Sequence, residues 1–220
     1  MDRTALDHLK RHLPLCPDIQ SREQYFNSAV LVPLVFQDNE YHLLFQKRAN
    51  HIRQGGEICF PGGRYDSELD ENSEATAIRE TIEELGITRH DISLIGRLDM
   101  SVAPQGVIVE PFIGILNIGH IEALTIDTNE VEEVFLVPVS YFETTEPEKY
   151  HVYVESQPSY LDEHGIEHAL LPARELGLPE RYYTPWGGRK RQVLLYRRNG
   201  RIIWGLTAGI TYDFVRKLQR

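Results

Sequence analysis

Residues 73–85, SEATAIRETIEEL, followed by Gly86, constrain this chain more than any other stretch. Apolar residues at helical spacing predict a helix from Ser73 to Leu85, and a glycine just past the last turn supplies the left-handed residue that ends one. At about 100° per residue, Ala75, Ile78, Ile82 and Leu85 fall on one side, and Glu80, Glu83 and Glu84 on the other. Carboxylates three and four residues apart repel by roughly 0.2–0.5 kcal/mol per pair. Glu83 and Glu84 also lie near the helix C-terminus, where the macrodipole disfavours negative charge. Helix stability therefore argues against all three. A solvated acidic face would accommodate them, and so would a hard divalent cation, which takes carboxylates and water as ligands. The residues upstream favour the cation. Phe60-Pro61-Gly62-Gly63 joins a short strand to a loop, and paired glycines admit close backbone approach.

From Gly62 to Ile87 the residues GGRYDSELDENSEATAIRETIEELGI resemble the Nudix box, G-x5-E-x7-R-E-U-x-E-E-x-G-U with U apolar. Glu71, Arg79, Glu80, Glu83, Glu84, Gly86 and Ile87 match in register. Two positions depart: seven residues rather than five separate Gly63 from Glu71, which leaves the role of Glu71 open, and Thr81 stands where an apolar residue is usual. The resemblance implies an α/β fold, a Nudix-type α/β/α sandwich with a mixed central sheet, and metal-dependent hydrolysis of a diphosphate linkage. It implies Glu80, Glu83 and Glu84 as the carboxylates for Mg²⁺ or Mn²⁺. Catalysis would fall to Glu80, Glu84 and Arg79, the arginine orienting a glutamate by a charge-assisted hydrogen bond. The general base stays open between Glu80, Glu84 and a glutamate from 129–133, a stretch that also reads as an ordinary loop entering a strand.

Residues 43–63, LLFQKRANHIRQGGEICFPGG, are similar to the upstream motif of the coenzyme A pyrophosphatase branch through Arg48, Arg53, Gly56 and the FPGG end. Phe45 stands where that motif usually has a threonine. VIVEPFIGIL (107–116) and IIWGLTAGI (202–210) resemble the same branch, while 144–190 has no counterpart. The resemblance implies a substrate site at Arg48, Arg53, Gly62 and Gly63, the arginines clamping phosphates with their bidentate forks. Pairing with surface acids is the plainer role for both. Coenzyme A or its thioesters would be cut to 3′,5′-ADP and 4′-phosphopantetheine. Pro104 keeps ADP-ribose or another nucleoside diphosphate derivative open. A Nudix module that senses a nucleotide without cutting it is a third reading, weighed against the retention of all three glutamates. Trp204 reads as a cap on the core and Cys59 as a small buried hydrophobe. The histidines show no ligand spacing.

A chain of 220 residues with 41% apolar content suits one generous domain over 1–220, with 1–26 as an N-terminal helical extension and 144–190 as an elaboration. Its 23 basic against 33 acidic residues give −10, which disfavours nucleic acid and anionic membrane as partners. The expected partner is a small nucleoside diphosphate derivative. The Pro- and Tyr-rich elaboration offers apolar surface for a homodimer. Cys16 and Cys59 make no disulfide framework and fit a reducing compartment. No run of about eighteen apolar residues would span a bilayer, and no signal-peptide pattern opens the chain, so a cytoplasmic location is expected. Helices are expected at 3–12 (Leu6, Leu9 and Leu13 on one face, stopped by Pro14 and Pro17), 139–142 and 206–218. Strands are expected at 27–36 and 41–46 as a hairpin through QDNE, then at 57–60, 92–102, 107–116 and 131–137. A last hairpin, 191–196 with 201–204, turns at Asn199-Gly200.

Overall fold

The computed structural model describes residues 2–15 and 18–220. Cys16 and Pro17, read above as a free thiol and a helix stop, lie outside the described residues. Helix α1 (Arg3–His12) forms over its expected residues, yet Leu6, Leu9 and Leu13 of its apolar face stay exposed. Beyond it, Arg22 pairs with Glu110, which also accepts from Ser73 Oγ at 2.8 Å. The approach to the sheet is thereby tied to the start of the acidic helix.

Strands β1 (Phe26–Gln37) and β2 (Glu40–Arg48) form the expected hairpin. Its two turn residues, Asp38 and Asn39, have φ of 52° and 64°, the paired left-handed geometry that matches strand twist. There follow β3 (Ile58–Cys59), β4 (Gly62–Arg64), α2 (Ser73–Leu85), β5 (Ile92–Arg97), β6 (Ser101–Ala103), β7 (Val107–Leu116), β8 (Val131–Pro138) and α3 (Val139–Thr144). In the main sheet the order is β3-β2-β1-β7-β5, with β4 on β1, β6 on β7 and β8 on β2. β1 runs parallel to β7, and every other pairing in this sheet is antiparallel. Helices cover both faces, which is why β1 reads as a continuous apolar run. Leu31, Val35 and Leu44 pack with Ala77 and Leu85 of α2. Val32, Leu43 and Phe45 pack on the opposite face with Phe142 of α3 and with Ala208 and Phe214 of α4 (Gly205–Leu218). The architecture is the expected α/β/α sandwich around a mixed sheet.

Residues 144–190, unreadable in outline from the sequence, contain β9 (Glu148–Ser156) and the small hairpin of β10 (Ser159–Leu161) with β11 (Glu167–Ala169). β9 joins β12 (Trp186–Arg198) and β13 (Arg201–Trp204) in a separate three-stranded sheet, order β13-β12-β9.

Three expectations are corrected. The run 92–102 is two strands, because the β5–β7 register slips between Leu94 and Gly96 and the chain leaves the ladder before β6 rejoins it. The buried side of α2 is Thr76, Ala77, Thr81, Glu84 and Leu85 rather than the Ala75–Ile78–Ile82–Leu85 stripe. Ala77 and Thr81 are small enough to let the helix lie close to β1, while Ile78 and Ile82 flank the contact half-buried. The Thr81 hydroxyl donates to Ala77 O at 2.6 Å, so it is buried without an unmet polar group. Trp204, finally, is 45% exposed instead of capping the core. Side chains alternate along β13, and Ile203, opposite Tyr196, takes the inward position.

Candidate active site

The acidic helix is placed by its two ends. The Asn72 side chain accepts from Ala75 N–H at 3.0 Å, and Gly86, at φ 64°, closes the last turn. β4 runs against the beginning of β1, with Gly63 opposite Ala29 and Gly62 opposite Val30. This puts the paired glycines directly under α2. A Cβ on Gly63 would sit 2.2 Å from the Glu80 carboxyl carbon, so only glycine leaves room for that carboxylate. Gly62 has φ 148°, and a Cβ there would meet Ala29 O at 2.3 Å.

Glu84 is 2% exposed. Its Oε2 accepts from Gly62 N–H at 2.9 Å, and its Oε1 from Gln46 Nε2 at 2.7 Å. Burial lifts its pKa to about 8; the two hydrogen bonds pull against that rise, and the charges of Glu80 and Glu130 add to it. Glu80, half-buried, is raised chiefly by burial as well; Arg79 opposes the rise, and Glu83 and Glu130 reinforce it. Of the acids at 129–133, Glu130 is thus the one whose charge reaches both carboxyls. Glu132 is engaged by Lys47 at 2.6 Å and Asn50 at 2.7 Å, and Glu133 by Arg201 at 3.0 Å.

Arg79 is held from outside the matched register. Asp70, buried, accepts its Nε and Nη2 at 2.9 Å each and the Thr76 hydroxyl at 2.8 Å. The guanidinium lowers the Asp70 pKa to about 2. Glu71, the residue in register with the box, is exposed. The longer loop shifts the partnering carboxylate by one position. Arg79 Nη1 also contacts Glu80 at 2.9 Å and Glu83 at 3.1 Å, and the Glu83 side chain is 59% exposed.

Among the described residues, no three His, Cys, Asp or Glu side chains already converge as a metal cluster. The donor chemistry nevertheless fits a hard cation. Glu80 and Glu84 are oxygen donors that burial holds toward the neutral form, with only Glu80 offset by a cation, Arg79, and a divalent ion favours the ionised pair. Arg48 and Arg53 lie on the segment leaving β2, where Arg48 Nε donates to Arg53 O at 3.2 Å. Neither guanidinium has a carboxylate within 4.0 Å among the described residues, so the plainer reading of paired surface arginines does not hold. Cys59, opposite Gln46 on β3, is half-buried, and burial with the nearby Glu84 charge pushes its thiol to about 11. A cleft of about 790 Å³ opens at Lys47, Ile58, Ile202 and Trp204. Since Lys47–Ile58 and Gln46–Cys59 are successive cross-strand pairs, their side chains point to opposite sheet faces, and the cleft lies across the sheet from Glu84.

Sequence reasoning missed Asp70 and Gln46. An acid directly preceding Glu71 in an overlong loop was a signal for the first, and a lone amide in the apolar run LLFQ for the second.

A mixed sheet between helix layers, with a glycine pair set beneath a helix bearing R-E-x-x-E-E, defines a class. The NUDIX domain model matches residues 26–157, more than half of the chain, and the chain belongs to that family. It is 36% identical over 129 residues to the peroxisomal coenzyme A diphosphatase NUDT7 of Mus musculus, covering 57% of this chain and 53% of that protein. It is 36% identical over 140 residues to the peroxisomal coenzyme A diphosphatase ndx-8 of Caenorhabditis elegans, covering 62% and 58%. It is 32% identical over 223 residues to the uncharacterized Nudix hydrolase NudL of Enterobacter sp. (strain 638), covering 99% and 96%. The matches to the two diphosphatases thus span little more than half the length of those proteins.

Proposed function

We propose that this chain is a Mg²⁺- or Mn²⁺-dependent hydrolase of nucleoside diphosphate derivatives whose substrate is coenzyme A or one of its thioesters. The observation that carries the reading is the pair Glu80 and Glu84 set against Gly62-Gly63, with both carboxyls raised by burial and further by the charges of neighbouring glutamates. A divalent ion bound there would neutralise charge on the diphosphate and make water more acidic. The chain's own groups supply the rest. Glu80, Glu83 and Glu84 would hold the ion, and Gly62 N–H and Gln46 fix the Glu84 carboxylate. Arg79, locked by Asp70, steadies Glu80 and Glu83. Arg48 and Arg53, without carboxylate partners, would meet the phosphates, which is how a chain at −10 takes a polyanion. Coenzyme A as substrate rests on the similarity to the two coenzyme A diphosphatases and on the FPGG-ending segment. A cytoplasmic setting, argued from cysteine usage, belongs to the same reading; those two relatives are named peroxisomal, and no described helix is long and apolar enough to cross a membrane.

The test is product analysis by mass spectrometry after separate incubation with coenzyme A, ADP-ribose and NADH in the presence of Mg²⁺, with Glu84→Gln as control. Release of 3′,5′-ADP and 4′-phosphopantetheine by the wild type alone supports both site and substrate. Cleavage of ADP-ribose instead keeps the site and replaces the substrate. Binding without any cleavage leads to a nucleotide-sensing module.

A further inference from the structure

The three-stranded sheet ends in an open edge. β9 is hydrogen-bonded to β12 on one side and to no strand on the other among the described residues. Eight of its nine residues are exposed, and Tyr150, Val152 and Tyr153 expose 51%, 46% and 66%. Natural edges are blunted by proline, by bulges, by charged side chains or by being short; the charges of β9, Glu148, Lys149 and Glu155, are of both signs. β9 has no proline, and the register shift in this ribbon falls in β12, between Trp186 and Arg189.

We infer that β9 pairs with β9 of a second copy of this chain, antiparallel about a twofold axis at Val152. Val152 is the midpoint of Glu148–Ser156, so this register alone pairs all nine residues. It sets Lys149 against the partner's Glu155, Tyr150 against the partner's Val154 and His151 against the partner's Tyr153. Opposite charges and aromatic with β-branched residues are favoured cross-strand neighbours, and the twofold makes each pair occur twice. Moving the axis by one residue, to His151 or Tyr153, puts Lys149 opposite Tyr153 or Gln157 and breaks both ion pairs. Within the chain these charges are weakly held: Lys149 lies 3.7 Å from an exposed Glu146, and Glu155 accepts from Gln157 at 3.4 Å. Joined this way, two three-stranded sheets become one of six. Tyr150, Val152 and Val154 line up on one face with Val193 and Leu195 of β12, beside Arg191 and Arg189 opposite the two valines, continuous across the axis.

The experiment is light scattering coupled to gel filtration on the full chain. The expected mass is twice 25.4 kDa. Lys149→Glu and Glu155→Lys each place like charges opposite one another at both ends of the junction, and each should bring the mass to 25.4 kDa. The double variant restores the pairs with signs exchanged and should restore the dimer. Circular dichroism checks that each variant is folded, and the double variant decides if a single one is not. A wild-type monomer at every concentration overturns the proposal. So does a dimer that neither single reversal disturbs, or a folded double variant that stays monomeric. Activity plays no part in these readouts, so the outcome is independent of the proposed reaction.

Discussion

A carboxyl buried as deeply as that of Glu84 either keeps its proton or finds a cation. Replacing it with glutamine tests which. The substitution is nearly isosteric, and Gln46 can adapt to it: the Gln46 Oε1 has no partner of its own, so a flipped amide would accept from the new side chain. Glu84→Gln should therefore fold and melt no lower than the wild type, while turnover falls by about 100-fold or more, the scale of a lost catalytic group. Undiminished cleavage by this variant would remove Glu84 from the chemistry. The glycines beside it separate fold from function in another way. A methyl on Gly63 meets the end of a flexible side chain, Glu80, whereas one on Gly62 meets the backbone of Ala29 and Val30 at positive φ. Gly63→Ala should keep its melting temperature and lose turnover; Gly62→Ala should lose stability first. Thermal melts and product assays on both proteins decide it, and the reverse pattern would refute the placement of Glu80.

At the scale of elements, α2 is fastened by an ion pair that its motif does not name. Asp70 is buried and doubly bonded to Arg79, and removing it takes two charge-assisted hydrogen bonds from a guanidinium that keeps Glu80 and Glu83, a loss of about 2 kcal/mol. Asp70→Ala should cost about that much in urea unfolding and should lower turnover by freeing Arg79, while Glu71→Ala should change neither. A larger effect at Glu71 would mean that the register, not the observed contact, is right, and equal effects would refute a distinct role for Asp70. The same pair marks how far the sequence could be read. Helical spacing and Gly86 located α2 to the residue, and Asp38-Asn39 and Asn199-Gly200 located the hairpins, because these signals are local. Asp70 was not legible because two extra loop residues uncouple spacing from contact. The burial of Glu84 was not legible either, since a helical wheel places acids outward and only the glycine pair from another strand makes an inward acid tolerable. Trp204 failed for a related reason: which face of β13 turns inward is decided by its packing with Tyr196 of β12 and Phe142 of α3, set by pairing across the chain, rather than by the residue's own size. Within 144–190, β9 and β12 pair over long loops, and alternation there is blurred by exposed tyrosines and arginines on both faces.

For the whole molecule, Asp70 and Glu84, the two buried carboxyls shifted in opposite senses, set opposite limits on stability. The folded pKa of Asp70, about 2, lies below the unfolded value of about 3.9, so its contribution is present above that value and lost as pH falls toward 2. The folded pKa of Glu84, about 8, lies above the unfolded value of about 4.3. Its contribution is complete below about pH 4 and is lost as pH rises toward 8, while a chain already at −10 gathers further negative charge. The metal-stripped protein should therefore melt lower at pH 8 than at pH 5, by a margin that Glu84→Gln reduces. A cation binds the ionised carboxyls and stabilises whatever state holds it, so Mg²⁺ or Mn²⁺ should raise the melting temperature more at pH 8 than at pH 5. Measuring melts at both pH values, with and without the ion, for wild type and variant isolates the Glu84 contribution from the general charge effect, which both proteins share. If wild type and variant respond alike to pH and to the ion, Glu84 neither holds a proton in the folded chain nor contributes to a metal site.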